Sequence, residues 1–223
     1  MIEKLIDENI AKKQEERKSY VRSGKMSPSQ FGYCYRKQFW YRKDVEPTNP
    51  PDARTLRVFK CGNLFEDFVS TYLPKDIDRQ VLIETEDIKG YADFVTNDRV
   101  IELKSQHSGS FWYLNKANCD ITIEKKPNIL QVMTYVYYLK KKLGCLIFIS
   151  KDDLCIKEYE FHIDNWAKEV EEEVAINKRF WAEGKLEGKL PPAQPRCYWN
   201  KKTNKFKECG WCGFKNKCKE QGE

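Results

Sequence analysis

The sequence is short of the features that would carry it into a membrane or out of the cell. No apolar run approaches the roughly 20 residues of a membrane-spanning helix, so the chain is expected to span no bilayer. Its first residues, Met-Ile-Glu-Lys-Leu-Ile-Asp-Glu, lack the apolar centre of a secretory leader, and a cytoplasmic location is the expectation. There is no Gly-x4-Gly-Lys-Ser/Thr loop to cradle nucleotide phosphates, which excludes a built-in motor of that type. Histidine is scarce, with two in 223 residues, and His107 reads as a surface side chain rather than a ligand.

What is present fits one well-cored domain. Charged residues make up 33% of the chain and apolar residues 40%, as expected of a soluble protein with a proper core. The formal charge of +6 permits an anionic partner without requiring one. Six Trp, twelve Tyr and twelve Phe offer many stacking surfaces, although most aromatics serve the core.

Periodicity divides the chain. Residues 1–22 carry Ile2, Leu5, Ile6 and Ile10 among charges, predicting an amphipathic helix. Ser27-Pro28 reads as an N-cap with proline at the first helical position. The helix it opens carries Phe31, Cys34, Tyr35 and Trp40, with Arg36 and Lys37 interleaved. Residues 62–73 predict a helix with an apolar stripe of Phe65, Phe68, Val69 and Tyr72, bordered by Glu66. Strands follow at 80–86, 91–95 and 100–104, then an irregular stretch over 106–126. A helix over 127–143 places Gln131 and Tyr135 on one face. Strands at 145–151 and 154–163 and a helix at 164–181 complete an α/β pattern.

The richest stretch is Gly90-Tyr-Ala-Asp-Phe-Val-Thr-Asn-Asp-Arg-Val-Ile-Glu-Leu-Lys104. If Asn97-Asp98 is a hairpin turn, Val95 faces Val100, Phe94 faces Ile101 and Asp93 faces Glu102. Opposed residues share one side of a sheet with β-carbons about 4.5–5.5 Å apart. Two carboxylates so placed repel, and a divalent cation would relieve them. Lys104 lies on the same face and can stabilise a neighbouring anion.

The cysteines fall into two groups. Cys61, Cys119, Cys145 and Cys155 stand singly and read as small core residues. Cys209, Cys212 and Cys218 form a C-x2-C-x5-C triplet, with Gly210 and Gly213 allowing tight turns, and read as metal ligands. Cys197 could complete a local tetrahedral zinc site. Alternatively, Cys34 could complete an iron–sulfur site that clamps the two ends of the chain together.

The spacing Asp93, eight residues, Glu102-x-Lys104 resembles the core motif of the PD-(D/E)XK nuclease superfamily. Gly62 with Glu66 four residues on, and the Gln131-x-x-x-Tyr135 pair, resemble the first and fourth motifs of its RecB-like group, although many members have histidine where Glu66 stands. Cys34 behind a Ser-Pro-Ser helix start, with the C-x2-C-x5-C triplet after the core, resembles the iron–sulfur nucleases of that group, the CRISPR-associated Cas-four family and its viral relatives. The resemblance covers about residues 27–218. It implies a restriction-endonuclease-like core over 55–182, with the segments 1–50 and 183–223 joined as a cysteine-cluster cap. It implies a [4Fe–4S] cluster on Cys34, Cys209, Cys212 and Cys218, and Mg²⁺ or Mn²⁺ on Glu66, Asp93, Glu102 and the carbonyl of Leu103. Lys104, Gln131 and Tyr135 would complete the catalytic set, and Arg36, Lys37, Tyr135, Lys125 and Lys126 would contact nucleic acid. The expected activity is single-strand DNA exonuclease action in CRISPR spacer acquisition, beside integrase proteins, or in viral replication and recombination. The competing reading is a non-catalytic iron–sulfur or zinc DNA-binding module.

Overall fold

The computed structural model describes residues 2–18, 22–200, 203 and 205–221. Three helices precede the sheet: α1 (Ile2–Lys18), α2 (Tyr35–Arg42) and α3 (Ala53–Tyr72). Residues 19–21, which close the expected first helix, lie outside the described residues. The Ser-Pro start does not open α2 directly. Pro28–Gln30 make a 3₁₀ turn, and α2 begins only after Cys34, whose extended backbone stands at its N-cap. α3 starts nine residues before the expected boundary, because Asp52 caps it by accepting a 2.7 Å hydrogen bond from the Thr55 N–H.

Strands β1 (Asp78–Glu84), β2 (Lys89–Val95), β3 (Arg99–Gln106), β4 (Leu143–Ser150) and β5 (Ile156–His162) form one sheet in that order. All neighbours are antiparallel except β3 and β4. A parallel pair needs a long crossover. The stretch expected to be irregular begins it, with two short helices, α4 (Ser108–Tyr113) and α5 (Ile121–Glu124), ahead of α6 (Lys126–Tyr138). α6 ends five residues before its expected boundary; shortly beyond it Lys140 adopts a left-handed backbone, φ 55°, that no helix continues. After β5 come α7 (Ala167–Leu186), a small ribbon of β6 (Trp199–Asn200) and β7 (Lys205–Phe206), and α8 (Lys215–Glu220).

The sheet has two covered faces. Val95 and Val100, with Leu146 and Phe148 of β4, pack with Ile129, Leu130, Met133 and Val136 of α6. Phe94, Ile101, Leu103 and Ile149 pack with Phe65 and Val69 of α3. The alternation along β3 therefore sends Val100, Glu102 and Lys104 toward α6, and Ile101 and Leu103 toward α3. The buried stripe of α3 is Phe65, Val69 and, just past its end, Leu73. Phe68 and Tyr72, expected in that stripe, are exposed and meet each other at 5.2 Å between ring centroids. The expected order of helix, three strands, helix, two strands and helix stands.

Candidate active site

The hairpin forms in the expected register, Val95 opposite Val100 and Phe94 opposite Ile101. Pairing stops there. At the next position the Leu103 N–H donates to Asp93 Oδ2 at 2.9 Å, so a side chain takes the place of a ladder bond. β2 and β3 thus part just where the two acids stand.

Glu102 is only 1% exposed, and its Oε1 pairs with the Lys104 ammonium. Its other oxygen, Oε2, is buried without a hydrogen-bond partner among the described residues. Burial pushes the Glu102 carboxyl up to about 7; Lys104 opposes the shift, and Asp93 and Glu66 add to it. Burial likewise raises Asp93, with Lys104 and the Leu103 N–H pulling against it. Burial opposes the charge on Lys104, yet Glu102, Asp93 and Glu66 around it hold its pKa above the usual lysine value. Lys104 is the cation paired with Glu102, and Arg79, itself paired with Asp67, approaches Glu66 at 3.6 Å.

Glu66 reaches this cluster from α3. Its Oε1 accepts a 2.6 Å hydrogen bond from Gln80 Nε2, which also lies 3.5 Å from Asp93 Oδ1. From α6 come Gln131 and Tyr135, both buried. Burial raises the pKa of the Tyr135 phenol, and the nearby charges of Glu102 and Asp93 raise it further. The Gln131 side chain and the Tyr91 backbone act to lower it. Gly90 makes this approach possible, since a β-carbon there would sit 2.8 Å from Tyr135 Oη and 3.1 Å from Pro28 Cδ. Gly90 and Gln80 are the residues that sequence reasoning missed. The glycine stood in the motif stretch without an assigned role, and Gln80 looked like an ordinary strand start.

The acids suit a hard divalent cation, and the orphaned Glu102 oxygen is the observation that fits one. The donors are not gathered into a ligand shell: among the described residues, no group of three or more His, Cys, Asp or Glu stands ready to hold a metal ion. Gln80, the Leu103 N–H and Lys104 occupy the oxygens instead.

The basic residues expected to contact nucleic acid have partners within the chain. Arg36 is buried and donates to the Pro191 carbonyl at 2.7 Å and toward Cys218 Sγ at 3.9 Å. Lys37 lies 3.5 Å above the Tyr33 ring and 3.9 Å from buried Glu208. Both brace the ends of the chain. Lys125 Nζ donates to Gln106 at 3.1 Å, and Lys126 lies 3.5 Å from Glu169. A groove of about 360 Å³ is lined by Arg22, Lys25, Tyr41, Lys89 and Tyr91, among others, and shares Gln131 and Tyr135 with the site. Its cations are paired, Arg22 with Asp44 and Lys25 and Lys89 with Glu84.

The cysteine-bearing segments do meet. Cys212 and Cys218 pack with Phe39, Trp40 and Phe214, and the Cys34 N–H donates to Glu208 at 2.9 Å. Their thiols are otherwise engaged: Cys34 donates to the Pro192 carbonyl at 3.8 Å, and Cys212 accepts from the Phe214 N–H at 3.5 Å. Cys197 is buried. No four-thiol set, with Cys34 or with Cys197, is assembled among the described residues.

The fold is shared with solved exonuclease structures. The chain is similar to the solved structure of SSO0001, with TM-score 0.56 and 19% identity over 95% of this chain and 93% of that one. It is similar to an alkaline exonuclease, LHK-Exo, from Laribacter hongkongensis, with TM-score 0.52 and 14% identity over 75% of this chain and 92% of that one. A structure of LHK-Exo in complex with dAMP matches with TM-score 0.52 and 15% identity, over 74% of this chain and 91% of that one. At such identities the likeness concerns the fold. No family profile and no curated protein sequence matches the chain.

Proposed function

We propose that this chain is a metal-dependent deoxyribonuclease acting as an exonuclease on single-stranded DNA. The observation that carries the reading is the buried Glu102, with one oxygen on Lys104 and the other unpartnered, beside Asp93 where the hairpin opens. Support comes from the fold shared with an enzyme described as an alkaline exonuclease. Glu66, Asp93, Glu102 and the Leu103 carbonyl would hold Mg²⁺ or Mn²⁺. Such a cation polarises a scissile phosphate and acidifies an attacking water. Lys104 orients that water or stabilises charge developing on the phosphate oxygens. Tyr135, fixed by Gln131, holds the acids and strand in place from the α6 side. The groove lined by Lys25, Lys89, Tyr41 and Tyr91 accepts a strand by phosphate contact and stacking, so affinity falls with salt.

The cysteines extend the proposal. Cys34, Cys209, Cys212 and Cys218 would bind a [4Fe–4S] cluster, with zinc on Cys197 and the triplet as the alternative. No step of the reaction runs through that group. In the cell the enzyme would process DNA ends, either for CRISPR spacer acquisition with integrase partners or in viral replication, and neighbouring genes distinguish these roles. The deciding experiment is cleavage of a single-stranded oligonucleotide with Mn²⁺ and with EDTA. Lys104→Ala is expected to lose about 10²–10³-fold in rate. Unchanged cleavage would sink the assignment, and DNA binding without cleavage by the parent protein would favour a non-catalytic module.

A further inference from the structure

The ladder between β1 and β2 is broken at one position only a short way from the acids. Arg79 pairs with Phe94 and Val81 with Ala92, but Gln80, which stands between, makes no pair with Asp93. The register is the same on both sides of the gap, so no residue has been inserted. Instead Gln80 itself adopts φ 50°, the left-handed region that a residue with a β-carbon rarely enters. Such conformations persist where the surroundings hold them, and they gather at functional sites. Here the turn aims the Gln80 amide at two of the proposed metal-holding acids, Glu66 on α3 at 2.6 Å and Asp93 on β2 at 3.5 Å. Its neighbour Arg79 approaches the same Glu66 at 3.6 Å while pairing with Asp67.

We infer that Gln80 is a positioning residue that clasps Glu66 to Asp93 and presets the separation of these two carboxylates for a divalent cation. The inference rests on the proposed metal-dependent reading of the site. An amide suits the task better than a lysine or arginine, because it donates to both acids without adding a positive charge that would compete with the incoming cation. The two acids come from different elements, α3 and β2, and among the described residues no other side chain bonds to both. Removing the clasp leaves Glu66 to Arg79, whose ion pair draws it toward Asp67.

Gln80→Gly is the informative substitution, since glycine adopts φ 50° without strain and removes the side chain that carries the amide. Mn²⁺ binding is measured by calorimetry on the full chain without DNA, alongside the thermal midpoint and the affinity for a single-stranded oligonucleotide in EDTA. The expected result is a midpoint at or above that of the parent, a Mn²⁺ dissociation constant raised about tenfold or more, and unaltered oligonucleotide affinity. A Mn²⁺ constant within about twofold of the parent, or a fall in EDTA-phase oligonucleotide affinity equal to the loss in metal affinity, overturns the inference. Glu102→Gln is the control for the underlying reading. If it too leaves Mn²⁺ affinity unchanged, the metal site itself is wrong, and Gln80 falls with it. If Glu102→Gln loses metal and Gln80→Gly does not, only the clasp is refuted.

Discussion

Gly90 carries no functional group, yet the space it leaves decides where Tyr135 can stand. A β-carbon there would lie 2.8 Å from the phenol oxygen and 3.1 Å from Pro28 Cδ, and neither neighbour is a flexible chain end with room to move. Tyr135 is 2% exposed and Pro28 is buried. Gly90→Ala is therefore expected to cost about 1–3 kcal/mol by overpacking and to lower kcat more than it raises KM, because Tyr135 shifts against the acids. Urea denaturation and steady-state cleavage measure the two effects, and a variant with parental values of both would show that the contact relaxes freely. The legibility of the site follows the same physics. The strand positions of Asp93, Glu102 and Lys104 could be read because a hairpin turn at Asn97-Asp98 dictates the register; Val95 does face Val100, but the expected Asp93–Glu102 pair is not part of the ladder. Gln80 could not, because its role depends on a backbone angle that its own residue type disfavours.

Between elements, one buried carboxylate joins three parts of the fold. Glu173 of α7 accepts bonds from the Gly32 N–H at 3.0 Å, from Gln38 of α2 at 2.9 Å and from both Arg196 nitrogens at 3.0 and 2.7 Å. Burial alone would raise its pKa; the Arg196, Gln38 and Gly32 bonds outweigh that and bring it below the usual glutamate value. A depressed carboxylate contributes stability above its unfolded pKa and loses it as pH falls through the folded one. Glu173→Gln should thus destabilise the protein by about 3 kcal/mol near pH 7, with the deficit shrinking below about pH 4. Urea titrations at the two pH values test this, and a deficit equal at both would refute the charge account. Nothing in the sequence flagged Glu173, which sits 141 residues from Gly32 in a helix rich in glutamate. The sheet was more readable, since the alternation along β3 dictates two covered faces. Two of the boundaries that slipped did so where a cap or a left-handed residue intervened, at Asp52 and near Lys140.

At the scale of the whole molecule, the segment around Thr48 and Asn49 is joined to the C-terminal segment by hydrogen bonds from backbone N–H groups. Asn49 N–H donates to the Gly213 carbonyl at 2.8 Å, Asn216 N–H to Asn49 at 2.9 Å, and Lys217 N–H to Thr48 at 3.2 Å. The cysteine spacing leads to the expectation of a metal cluster joining these segments; the contacts that join them here are those bonds and the packing of Phe39, Trp40 and Phe214. A cofactor held by Cys34 and the triplet would add a cross-link between positions 34 and 209. The loop it closes spans about 175 residues, and the entropy removed from the unfolded chain would correspond to roughly 5 kcal/mol in the simplest chain model. The proposed [4Fe–4S] site then has two separable signatures in anaerobically purified protein. Cys34→Ala should abolish the brown colour and the broad visible absorption and lower the thermal midpoint. Cys61→Ala, half-buried on α3 away from the triplet, should change neither. Colourless protein with one equivalent of zinc, lost on Cys197→Ala and retained on Cys34→Ala, would overturn the cluster and leave the ends joined by packing and hydrogen bonds alone.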